Sequence, residues 1–223
     1  MHSFTLRHVN YFDFSDEQSY QLKDKEKEYG SISKLPNQSR NVNGITFEIY
    51  QCRFLETITE EIIIDGEIKN EYQKAKKFNL FYSRNENLLI LETSTVIAKN
   101  FLKRLLDLYP KNTDLKAFQF DFEQIKIQTS TVKGIYFNVD DDNSVDRKAF
   151  FGNDVDRNDE ANEAIVHKNA TYLIINLDVA NKNRTIGFSQ KSAIVLYNNF
   201  SDEEAFEIVT SIYIKEKRSF STR

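Results

Sequence analysis

Close-set carboxylates are the first groups in this chain that could do chemistry. Asp140, Asp141 and Asp142, with Asp146 just beyond, follow an apolar run and could gather one divalent ion. Asp154 and Asp156 open a second cluster, Asp154-Val155-Asp156-Arg157-Asn158, which has the alternating acid and amide start of a calcium loop. Such a loop needs glycine at the next position and a bidentate glutamate at the twelfth. Here those positions hold Asp159 and Ile165. The segment therefore reads better as a turn of short polar side chains that caps a following helix. A divalent metal held by Asp140, Asp142, Asp154 or Asp156 belongs to one alternative reading, a metal-dependent hydrolase of phosphodiesters. The preferred reading needs no cofactor.

Other catalytic arrangements fare worse. Glu67-Ile68-Lys69 has the Glu-x-Lys spacing of metal-dependent nucleases, but its nearest upstream acid, Asp65, lies across an Asp65-Gly66 pair that suits a two-residue hairpin turn. The three histidines, His2, His8 and His167, are scattered and make no zinc set or triad. Cys52 is the single cysteine, which rules out an internal disulfide and fits a reducing, cytoplasmic setting. It falls in an apolar alternating run and reads as a core residue. The six glycines are isolated, so neither phosphate-binding glycine fingerprint is met.

Cations remain. Between Glu67 and Lys116 there are ten Lys/Arg against six Asp/Glu, whereas Asn138 to Glu163 holds nine acids against three bases. Lys74, Lys76 and Lys77 precede an apolar strand, and Arg84 sits in the turn after it. Lys99, Lys103 and Arg104 fall on a helix, with Tyr72 and Tyr82 close by in sequence. Basic groups near aromatics on a sheet can hold a phosphate backbone and stack bases. The expected function is accordingly a non-enzymatic binding module. It would contact nucleic acid or an acidic protein through this basic region, and the acidic segment would meet something else, for instance a second copy of the chain. A purely structural or inhibitory partner protein, using the polar stretch Ser15 to Asn43, is the other alternative.

The elements that must position these groups follow from periodicity. Alternation predicts strands over Phe4–Phe14, Ile45–Leu55, Ile58–Ile64 and Glu67–Tyr72. Phe78–Ser83 and Leu88–Leu91 form a hairpin, and Ile97, Phe101, Leu105 and Leu108 give the next helix its apolar stripe before Pro110 ends it. Ser15–Asn43 is too polar to offset its ordering entropy and is expected to be a long exposed loop, with at most a short helix over Ser19–Glu28.

Further along, strands are expected over Gln124–Gln128, Gly134–Val139 and Tyr172–Ala180, with a helix over Asn158–Lys168. A closing unit runs strand, turn, strand, helix: Ile186–Gln190, Lys191-Ser192, Ala193–Tyr197, Ser201–Tyr213. Ser201 and Glu204 make a capping box at the start of that helix. The tail from Ile214 is expected to fray. The unit echoes the one from Phe78 to Tyr109. The architecture expected is α+β, with antiparallel sheets and helices on one face. Residues 1–116 and 117–223 are read either as two similar strand–strand–helix lobes or as one compact domain, because apolar patterning alone can produce the echo. No apolar stretch reaches the ~20 residues of a membrane-spanning helix.

Overall fold

A computed structural model describes residues 1–14, 18–129, 131–139, 144–179 and 182–221. The fold is α+β and its strand pairing is predominantly antiparallel. The chain divides into two compact units, one of Arg7–Lys116 and one of Met1–Leu6 with Ala117–Arg223. Among the described residues, no helix is long and apolar enough to cross a membrane.

The Arg7–Lys116 unit takes the later part of β1 (His2–Phe12), then β2 (Tyr20–Lys23), β3 (Glu28–Val42) and β4 (Ile45–Ile58). A short ribbon of β5 (Ile62–Ile64) and β6 (Glu67–Lys69) follows, then β7 (Tyr72–Ser83), β8 (Leu88–Glu92), helix α1 (Thr95–Leu108) and β9 (Thr113–Ala117). Its sheet runs β2-β3-β4-β7-β8-β1, with β9 also paired to β1. Alternate residues of β4 and β7 (Tyr50, Cys52, Phe54; Phe78, Leu80, Tyr82) join Ile97, Phe101 and Leu105 of α1 in one core. The apolar stripe of α1 therefore packs as its spacing predicts. Phe78 meets Phe101 edge-on, ring centroids 5.1 Å apart. Cys52 is fully buried in this core, and burial pushes its thiol well above the usual range.

Ser15–Asn43 departs from expectation. Of its described residues, most lie in β2 and β3, and there is no helix over Ser19–Glu28. Two devices explain this. Asn43 (φ 52°) and Gly44 (φ 80°) form the two-residue turn that pairs Val42 with Ile45. β3 then runs polar because only some of its side chains, such as Ile32, turn into the core. Its pairing with β4 shifts between Lys34 and Ser39, where Pro36 and the positive-φ Asn37 sit. The Asp65-Gly66 turn is as predicted: both residues have positive φ and Ile64 pairs with Glu67. The strand expected over Ile58–Ile64 is broken between Ile58 and Ile62, so the ribbon forms its own two-stranded sheet.

The other unit is built from α2 (Phe122–Gln128), β10 (Thr131–Asn138), β11 (Arg147–Phe151), α3 (Asp159–Val166), β12 (Ala170–Val179), β13 (Lys182–Ser189), β14 (Ala193–Leu196) and α4 (Asp202–Ser221). Its strands run β11-β10-β12-β13-β14 and then the start of β1, where Phe4 pairs with Ile194. The strand expected over Gln124–Gln128 is a helix. Asp121 accepts hydrogen bonds from the backbone N–H groups of Glu123 and Gln124, and this cap commits the chain to helix over a run too short for alternation to decide. Ile125 is consequently buried while Ile127 faces solvent. The capping box forms, the backbone N–H of Glu204 donating to Ser201 Oγ at 3.2 Å and that of Ser201 to Glu204 Oε2 at 3.1 Å. The tail does not fray at Ile214, since α4 runs on to Ser221.

Two glycines in this unit make room for rings. Tyr172 reaches over Gly187, where a Cβ would lie 2.1 Å from the phenol oxygen, and the Phe151 ring lies against Gly134. Tyr136 packs edge-on to both Phe151 and Tyr172, and the Tyr172 and Tyr197 hydroxyls bond at 3.0 Å. The result is an aromatic row on β11, β10 and β12 that reaches over Gly187 of β13 to Tyr197, just past the end of β14, and covers backbone at the glycines.

Candidate functional site

The basic region resolves into one recess and several outlying cations. α1 places Asn100, Lys103 and Arg104 on one side of the helix, since i, i+3 and i+4 positions share a face. Opposite them stand Lys27 and Tyr29 from the start of β3 and the end of β4 from Phe54 to Thr57. Together they enclose a cavity of about 360 Å³ within the Arg7–Lys116 unit. Phe54 is buried and gives the recess an apolar floor, Leu55 lines it as the next residue of β4, and Lys27, Thr57, Asn100 and Lys103 are exposed at its mouth.

Local geometry fixes each cation differently. The turn between β2 and β3 is held by Asp24, whose Oδ1 accepts from the backbone N–H groups of Glu26 (2.9 Å) and Lys27 (2.8 Å). Its Oδ2 accepts from the Tyr29 hydroxyl at 2.6 Å. These bonds, the Tyr29 one first, hold the Asp24 carboxyl below its ordinary range, and the same bond raises the Tyr29 phenol. Lys27 then extends to Thr57 Oγ1 at 3.2 Å. Arg104 is half-buried and lies over the Tyr29 ring, 4.1 Å from its centroid. Stacking leaves the edge of a guanidinium free to donate while its plane is fixed. Lys103 forms no ion pair among the described residues. Among the described residues Glu56 is the one carboxylate in the lining, and Lys76 pairs with it at 3.7 Å; the Asp24 carboxylate acts on Arg104 from beside Tyr29.

The sequence-predicted cations are thus only partly gathered. Lys103 and Arg104 line the recess. Lys76 stands at its border, opposite Phe54 on β4, and exposed Lys74 is opposite Glu56. Lys77 is opposite Arg53 and, by strand alternation, points to the other side of the sheet. Lys99 is exposed on α1 but does not line the cavity. Arg84 is engaged elsewhere, 3.8 Å from Glu48 and over the Tyr82 ring at 6.0 Å. Sequence reasoning missed Lys27, Tyr29, Thr57 and Asn100. The signal that could have found the first two is Asn43-Gly44, which makes the preceding polar run a strand.

The acidic candidates are placed as follows. Asp140 and Asp142 lie outside the described residues. Asp154, in the left-handed conformation at φ 52°, opens a one-turn 3₁₀ helix and faces Arg157 at 3.4 Å. Asp156 faces Lys126 at 3.6 Å, and that lysine also donates to Asn162 at 2.6 Å. Asn158 caps α3 through the backbone N–H of Ala161. Among the described residues, neither aspartate joins a group of three ligands close enough for one ion. No family model and no curated protein sequence matches the chain.

Proposed function

We propose that this protein is a non-enzymatic binding module that contacts nucleic acid through the basic recess of the Arg7–Lys116 unit. One observation carries the reading: α1 and the turn into β3 set Lys27, Lys103 and Arg104 around a single concavity where, among the described residues, the one lining carboxylate is paired with Lys76. Neutralising phosphates releases condensed counterions and supplies most of the affinity for nucleic acid, and it requires cations that are not spent on neighbours. Lys74, exposed further along β7, adds a cation beside the recess, while Lys76 is spent on Glu56. The Arg104 plane held on Tyr29, with Phe54 beneath, supplies what a purely electrostatic patch lacks, flat surface beside the cations against which a base can rest. An acidic protein would meet the cations equally well but would make less use of that floor.

In this reading the chain is cytoplasmic, its helices cover one side of each sheet, and its two units are similar lobes. Each unit runs an antiparallel hairpin into a helix, β7-β8-α1 in one and β13-β14-α4 in the other. Association of copies through the acidic segment is compatible with it.

The test is fluorescence anisotropy with short single- and double-stranded DNA and RNA at low salt. Wild type is expected to bind. A variant carrying Lys27→Glu, Lys103→Glu and Arg104→Glu should bind at least about tenfold more weakly. Lys191→Glu, an exposed lysine in the turn between β13 and β14, should bind as wild type does. Equal binding by all three proteins would refute the assignment of the surface, and absence of binding to every probe would refute nucleic acid as the partner.

A further inference from the structure

We infer that the recess takes the phosphorylated end of a nucleic-acid strand, with the terminal phosphomonoester held among Lys27, Lys103 and Arg104 and the first nucleotide lying on the floor beneath. This rests on the preceding reading of the recess as the nucleic-acid contact and narrows it to a ligand.

Charge matching points to an end rather than to the middle of a strand. An internal phosphodiester carries one negative charge, while a terminal monoester carries nearly two at neutral pH. Lys27, Lys103 and Arg104 line one cavity of about 360 Å³. Lys76 offsets Glu56, and Asp24 offsets part of the Arg104 charge, which leaves a surplus nearer two charges than one and so matches a monoester better than a diester. A groove that follows a backbone spreads its cations along a path instead. The volume is also at the small-ligand end of the range for binding pockets, which suits one nucleotide.

Two of the three cations are positioned in advance. Lys27 is tied to Thr57 at 3.2 Å and its backbone is fixed by Asp24, and Arg104 is laid on Tyr29. Fixed donors lose little freedom when an oxyanion arrives. Phe54 offers apolar surface for the base or sugar, and the exposed Asn100 amide, one helical turn before Arg104, can donate to and accept from a base edge. A phosphoserine or phosphothreonine peptide presents the same dianion but no ring next to it for that floor.

The experiment compares one labelled single strand of about ten nucleotides in three forms: 5′-phosphorylated, 3′-phosphorylated and without a terminal phosphate. Wild type is expected to favour one phosphorylated end over the unphosphorylated strand by roughly tenfold or more, as a charge-assisted contact to a monoester should give. Lys103→Ala and Lys27→Ala should each erase most of that preference while retaining weak binding to all three strands. Both lysines are exposed, and unchanged circular dichroism would show that the fold survives. The matching nucleoside monophosphate should compete, and the nucleoside should not. Equal affinity for the three strands would overturn the end-recognition inference and leave nucleic-acid binding standing. Failure to bind any strand would remove both. Tight binding of a phosphoserine peptide, with no preference among the strands, would replace the nucleotide with a phosphoprotein.

Discussion

Glu216→Gln should make this protein more stable above neutral pH and hardly change it in acid. Glu216 lies on α4 and is only 3% exposed. Burial, and then the nearby Asp121 carboxylate, push its own carboxyl up to about 7 from an ordinary value of 4.5, with partial relief from the Asp121 backbone N–H. In the unfolded chain the group ionises near its ordinary value. Between the two values the folded protein holds a proton that the unfolded chain has released. Stability from this group is therefore complete below about pH 4.5, falls as pH rises, and is lost once pH passes about 7. At about 1.4 kcal/mol for each unit between them, the penalty at pH 8 approaches roughly 3 kcal/mol, an upper bound for a group that water can partly reach. Glutamine keeps the shape and never ionises. Urea unfolding followed by circular dichroism, at pH 5, 6, 7 and 8, should show the variant's midpoint rising above wild type as pH increases, with unchanged m-value. Midpoints that stay parallel across the series would refute the assignment of a proton to Glu216.

Three further outcomes follow from particular contacts. Gly30→Ala should cost at least about 2 kcal/mol and weaken oligonucleotide binding together, because at φ 144° its Cβ would sit 1.9 Å from the Arg53 carbonyl oxygen, forcing β3 and with it Lys27 and Tyr29 away from β4. Denaturant titration and anisotropy measured on the same sample check both effects. Gly187→Ala should destabilise by about 1–3 kcal/mol by driving Tyr172 off its neighbour, without altering oligonucleotide affinity. Cys52 should resist a thiol reagent at pH 8 in native buffer and react quickly in denaturant, since its thiol is fully buried and held protonated. Rapid native labelling would contradict the core placement.

How far the residues foretold the structure depended on whether a local signal was self-sufficient. Asp65-Gly66, the α1 stripe and the Ser201–Glu204 box each carry their own physics within a few residues, and each appears as read. β3 was hidden because its polarity resembles that of a loop. What makes it a strand is pairing with β4, a contact set by the Asn43-Gly44 turn rather than by its own hydrophobicity. α2 was misread because Ile125 and Ile127 alternate over too short a span, and the Asp121 cap outweighed them. The candidate site shows the same division. Lys103 and Arg104 were legible as helix cations, but Lys27 is 76 positions upstream and could join them only once β3 was known to be a strand. Arg84 looked equivalent in sequence and is occupied by Glu48, a partner 36 positions away.

The most direct test of the central claim is the salt dependence of oligonucleotide binding by wild type and by the Lys27→Ala, Lys103→Ala, Arg104→Ala variant. Each phosphate neutralised contributes about 0.7 to 0.9 to the slope of log affinity against log salt concentration. The variant's slope should be shallower than wild type's by about 2 to 3 if the three recess cations contact separate phosphates, and by about 1.5 if they share one doubly charged terminal phosphate. Identical slopes for the two proteins would place the phosphate contacts elsewhere and contradict the account.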